Sequence, residues 1–149
     1  MKEILLQPED YHSLIDNYQN NKDRIQLYHK EIASWEYHLG GLKAVQFDRE
    51  PSTSCRVKGL SPIQNESLYK IEQCYNDIKV CQRKMEIVDR FLNYLQMAGD
   101  EVEYKIIYMR TLERKWEDIS NEVQYSYSNC RYLYLKSIEN YIRFIRQLS

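Results

Sequence analysis

From residue 126 onward the chain gathers side chains suited to contact a nucleic-acid duplex. Ser128, Asn129 and Arg131 fall within about one helical turn, Tyr127 heads the run, and Tyr132, Lys136, Arg143 and Arg146 follow. Serine, asparagine and arginine can hydrogen-bond base edges, while lysine and arginine neutralise phosphates. Residues 126–149 carry four basic groups (Arg131, Lys136, Arg143, Arg146) against Glu139, whereas residues 1–50 carry six basic and nine acidic groups. Over the whole chain the net charge is −1. Such a balance argues against a polycation that coats nucleic acid and suits local contact with phosphates. Leu135 and Glu139 lie on the same surface and are poorly suited to DNA.

Other chemistries find no support. The sequence has no Gly-rich phosphate loop, no H-E-x-x-H and no G-x-S-x-G, and its carboxylates fall between apolar positions, where a helix faces water. An enzyme is not expected. His12, His29 and His38 have no partner at i, i+4, and Cys55, Cys74, Cys81 and Cys130 form no C-x-x-C pair. Neither a metal nor a cofactor is therefore expected, and the thiols read as small apolar groups. The N-terminal apolar run is too short for a signal peptide and no stretch approaches membrane-spanning length. A cytoplasmic protein without membrane contact is expected.

The basic run needs a helix to present it. Ser126 is a good N-cap, and Cys130, Leu133, Tyr134, Ser137, Ile138 and Tyr141 recur at helical spacing on what should be the inner face of a helix to about Gln147. Before it, Trp116, Ile119 and Val123 give a two-turn helix over 115–123, and Gln124–Tyr125 make a tight break. A short helix, a tight turn and a capped longer helix is the spacing of a helix-turn-helix, whose second helix enters the major groove. Another helix is predicted over Glu101–Leu112, with Val102, Ile106 and Met109 inward and Asp100 and Glu103 as a reciprocal cap.

Upstream the pattern changes to a seven-residue repeat. Tyr11, Tyr18, Ile25, Ile32 and Leu39 form one column, and Leu14, Asn21, Tyr28, Trp35 and Leu42 the other. These predict one long helix from Pro8, weakening at Gly40–Gly41. Residues 47–65 read as a connector. A second long helix, from about Glu66 to Ala98, repeats the seam with Ile71, Ile78, Met85 and Leu92 beside Cys74, Cys81, Val88 and Leu95, and Gly99 closes it. With 43% apolar residues, 29% charged residues, four glycines and three prolines, the class is all-α. The predicted architecture is a coiled-coil helical hairpin over 1–99, used for oligomerisation, followed by a three-helix module over 100–149. The two long helices can pair with each other or with those of another subunit; the repeat alone allows both.

The run Trp116-Glu117-Asp118-Ile119-Ser120-Asn121-Glu122-Val123-Gln124-Tyr125-Ser126, with the aromatic-rich helix after it, resembles the region-four helix-turn-helix of sigma factors. More specifically, it resembles the C-terminal part of the ArpU/RinA-type phage transcriptional regulators. Those proteins combine a heptad-rich N-terminal part, a connector with an apolar-x-Gly-apolar-Pro motif, a second long helix and a sigma-like module. Here Val57-Lys58-Gly59-Leu60-Ser61-Pro62 stands in the connector, with one residue more before the proline. The likeness spans most of the chain, and residues 108–138 are its specific part. The chain departs in the turn Leu112-Glu113-Arg114-Lys115, which lacks the usual glycine, and at Ser137, where a small apolar residue is usual. The resemblance implies a phage or prophage regulator that activates late genes as an oligomer in the bacterial cytoplasm. Its partners would be duplex DNA and, as a second candidate, host RNA polymerase. Two other readings stay open: a small terminase-like packaging protein, and an adaptor that binds protein through the same helices.

Overall fold

The computed structural model describes residues 6–49 and 62–148, with the backbone alone for 40–49 and Ile63. These residues form six α-helices: α1 (Pro8–Asp16), α2 (Tyr18–Arg49), α3 (Pro62–Ala98), α4 (Glu101–Thr111), α5 (Trp116–Val123) and α6 (Tyr127–Leu148). Among the described residues there is no strand, and the class is all-α. No described helix is long and apolar enough to cross a membrane.

Several boundaries differ from the sequence reading. The helix that starts at Pro8 breaks at Asn17, whose side-chain amide donates to the Ser13 carbonyl (2.8 Å) already used by its own backbone amide (3.0 Å). A short amide side chain competes with the helical ladder in this way. Gly40–Gly41 do not end the next helix, which runs on to Arg49. A glycine cost of about 1 kcal/mol per residue weakens a helix without by itself ending it. Pro62 opens α3, where its fixed φ and missing amide cost nothing. The connector expected over 47–65 is therefore helical at 47–49 and 62–65, while 50–61, including Cys55 and the segment Val57–Ser61, lie outside the described residues.

The described residues between 23 and 82 form one compact unit. Within it Ile32 is buried against Cys74 and Ile78, with Ile25, Tyr28 and Ile71 packed around them. All six belong to the predicted seams. Glu31 faces Cys74, and Tyr28, three residues earlier, faces Asp77 and Cys81. Falling index on α2 matches rising index on α3, so these segments run antiparallel within one chain. Burial, followed by the Glu31 carboxylate, pushes the Cys74 thiol up from its ordinary value and keeps it an apolar filler.

The second unit gathers residues up to Lys22 with those from Arg83 onward. The helices after residue 100 are thus joined in one core by α1 and the C-terminal half of α3. Tyr11 and Ile15 of α1, Val88, Phe91 and Leu95 of α3, Ile106 and Ile107 of α4, Ile119 of α5, and Tyr134 and Ile138 of α6 are all buried there. Ile15 and Phe91 belong to neither heptad column. Val88, Phe91, Leu92 and Leu95 make a stripe wider than a coiled-coil seam, as a helix facing several neighbours requires. Tyr141 is the hub: its ring stacks on Phe91 (4.8 Å between centroids) and meets Tyr11 edge-on (5.8 Å).

Local signals place the ends. Gly99 is left-handed (φ 78°), and the Asp100 and Gly99 amides return to the Leu95 and Gln96 carbonyls (3.1 and 3.2 Å), which closes α3. Glu113 adopts the same conformation (φ 61°) after α4, with Arg114 and Glu113 amides bonded to Met109 and Arg110 carbonyls. The missing glycine of this turn is thus replaced by a strained glutamate. The reciprocal cap at Asp100 does not form: Asp100 makes no side-chain cap bond. Glu103 is instead raised above the ordinary carboxyl range by burial and then by Asp100. Ser137, fully buried, is reconciled with its surroundings because its hydroxyl donates to the Leu133 carbonyl (2.7 Å).

Candidate nucleic-acid interface

The turn between α5 and α6 is three residues long, Gln124-Tyr125-Ser126. Gln124 is left-handed (φ 60°, ψ 37°), which reverses the chain directly after the last apolar residue of α5. Two donors from the flanking helices converge on one acceptor: the Ser120 hydroxyl and the Cys130 thiol (3.8 Å) both donate to the Tyr125 carbonyl. Ser126 caps α6 as expected, its Oγ accepting the Asn129 amide (3.2 Å). Ile119, Cys130 and Tyr134 hold the inner sides in the core. Turn and helix start are fixed from both sides.

With that inner face buried, the outer face of α6 follows from its period. Ser128, Tyr132, Leu135, Glu139, Arg143 and Arg146 share it, with Asn129 and Lys136 on its flank, and all eight are exposed. Tyr127 and Arg131 are exposed as well, on the side toward α5. Every residue expected at the interface is therefore exposed at the surface, together with the unfavourable Leu135 (43% exposed) and Glu139. Arg143 and Arg146 lie about 18–22 Å along the axis from Arg131, given 1.5 Å per residue. They cannot contact the same base steps as the helix start.

Two cations rest on aromatic rings four residues before them. The Arg131 guanidinium carbon lies 6.0 Å from the Tyr127 centroid, and Lys136 Nζ 5.8 Å from that of Tyr132. Arg131 also lies over Trp116 at 5.7 Å. On the same ring, at 4.9 Å, sits Arg110 of α4. Arg110 is tied down further by Asp16 of α1 (2.9 Å) and by the Arg114 carbonyl (3.0 Å). Tyr134 meets Trp116 edge-on at 5.2 Å.

Helical spacing places Trp116 on one stripe with Ile119 and Val123, and carries no sign of the contacts of Arg110, Asp16 or the Tyr125 carbonyl. Only the i, i+4 pairs Tyr127–Arg131 and Tyr132–Lys136 left a local signal. Arg110 and Asp16 are 94 residues apart, a separation without periodic trace. No family model, curated protein or solved structure matches this chain.

Proposed function

We propose that this chain is a DNA-binding transcriptional regulator of phage or prophage type, with α5 and α6 as its helix-turn-helix and α6 as the helix that enters the major groove. The observation that carries the reading is the outer face of α6. Ser128, Asn129 and Arg131 stand at its capped start, where such helices approach base edges. Lys136, Arg143 and Arg146 follow toward its end, spaced for phosphates on either side of a groove. The paired α2 and α3 segments serve as a coiled coil through which copies associate, and activation of late genes by contact with host RNA polymerase follows from the same reading.

One observation favours a second reading. Tyr132 and Leu135 place 58% and 43% exposed apolar side chains at the centre of the face, as a protein-binding adaptor would. The measurement that separates them is binding of the intact protein to its own promoter-region duplex and to a random duplex across a salt series. DNA recognition predicts affinity that falls steeply with salt, with Arg131→Ala losing discrimination and Lys136→Ala weakening both duplexes alike. Salt-indifferent or absent binding to both duplexes gives the adaptor reading. A ring of many subunits in solution gives the packaging reading.

A further inference from the structure

Two arginines share the ring of Trp116, and only one of them is neutralised. Arg110 has the Asp16 carboxylate and the Arg114 carbonyl as partners. Arg131 has two aromatic rings, Trp116 and Tyr127, and among the described residues no carboxylate within ion-pair distance. A cation over a ring engages the π face and leaves the guanidinium N–H donors, which point outward in its plane, unspent. That fork matches two acceptors side by side, whether phosphate oxygens or the O6/N7 edge of guanine.

We infer that Trp116 and Tyr127 are positioning residues that hold Arg131 ready for a bidentate contact with duplex DNA. This rests on the DNA-binding reading above. Arginine side chains otherwise lose much rotamer freedom on binding. Seating Arg131 against Trp116, a ring itself held in place, removes part of that loss before the duplex arrives. Trp116 is fixed by Tyr134 edge-on and by the anchored Arg110. Arg110 would then act at a distance, keeping the ring in place while Arg131 makes the contact.

The test uses the intact 149-residue chain carrying Trp35→Phe, so that Trp116 is its sole tryptophan, and a labelled duplex enriched from a random library by the wild-type chain. Trp116→Leu and Tyr127→Leu should each weaken duplex binding roughly three- to tenfold, the range of a partly desolvated cation–π contact. In an Arg131→Ala background the same changes should cost less than about twofold, since the group being positioned is gone. Tyr127→Phe, which keeps the ring, should restore binding. Trp116 emission should change on adding duplex and should stop responding in Arg131→Ala.

Equal losses with and without Arg131 would overturn the inference, because the rings would then serve the fold or touch DNA themselves. An emission spectrum indifferent to bound duplex would overturn it too. Should Trp116→Leu fail to fold, the exposed Tyr127 pair of variants decides the matter alone. Duplex binding without coupling removes only the positioning role. No duplex binding by the wild type removes the DNA reading itself, and the inference with it.

Discussion

His12 Nδ1 lies 3.0 Å from the Tyr134 hydroxyl, and the two rings are 5.0 Å apart. Tyr134 belongs to α6 and His12 to α1, 122 residues earlier. Burial pushes the Tyr134 phenol far above its ordinary value, so the hydroxyl keeps its proton and can donate to the His12 ring nitrogen. Tyr134 in turn buttresses Trp116. The N-terminal helix thus supports the same ring on which Arg131 rests.

A fragment of residues 100–149 should therefore fail to fold alone. It lacks Tyr11, Ile15, Val88, Phe91 and Leu95, which cover Ile106, Ile138 and Tyr141 in the intact core. Circular dichroism should show no cooperative thermal transition, and a hydrophobic dye should bind it. A sharp melt near that of the whole protein would show that α4–α6 are self-sufficient.

Asn21 is 3% exposed and its side-chain Nδ2 has no hydrogen-bond partner. Leucine is of similar size and leaves no donor unsatisfied, so Asn21→Leu should stabilise the chain by about 1–3 kcal/mol. Chemical denaturation measures this directly. A lower midpoint would mean that the Asn21 oxygen makes a contact the fold needs.

Glu113 and Gln124 both occupy the left-handed region at φ 61° and 60°. An L side chain there costs roughly 1–2 kcal/mol, of which glycine recovers part after its own entropy loss. Glu113→Gly should raise stability by roughly 0.5–1 kcal/mol, and Glu113→Val should lower it. The difference between the two variants in denaturant midpoint is the quantity to compare.

Glu103 is held above the usual carboxyl range by burial first and by Asp100 second, with Ser137 and Lys136 opposing. A raised folded pKa means that folding disfavours the ionised carboxylate relative to the unfolded chain. Its contribution is full at acid pH and is lost as pH rises through the folded value. Glu103→Gln should accordingly be more stable than wild type at neutral pH, and that advantage should shrink as pH falls below the ordinary carboxyl range. Melting curves of both proteins across pH check this; a difference that stays flat with pH would show that folding does not raise the Glu103 carboxyl.

Arg143 and Arg146 separate the roles along α6. If they meet phosphates beyond the groove read by Ser128 and Asn129, removing either should reduce the logarithmic salt slope of duplex binding by roughly one, equally for specific and random DNA. A loss of sequence discrimination instead would place these two arginines against bases.

The strong periodic elements were legible without coordinates. Seam positions Ile32, Cys74, Ile78, Cys81, Val88 and Leu95 are buried, because a seven-residue repeat leaves a helix only one face to hide. The end of α5 and the Ser126 cap were legible for a similarly local reason: their signals span fewer than about five residues. The outer face of α6 followed from the inner one by subtraction.

What the tertiary structure alone decided lies where residues distant in sequence meet. The break at Asn17 turns Tyr11 and Ile15 into a different core from the one the heptad columns describe, since a local side-chain bond interrupts the repeat without changing its letters. Pairing of the α2 and α3 segments within one chain was decided by packing, because an apolar seam accepts any complementary helix. The seating of Arg131 on Trp116, beside an Arg110 neutralised by Asp16, depends on the chain bringing α1, α4, α5 and α6 together. Sequence fixes which faces must be buried, as that is a property of each helix by itself. Which buried face meets which other is a property of the whole packed core, and only there does an ordinary tryptophan become the support for an arginine.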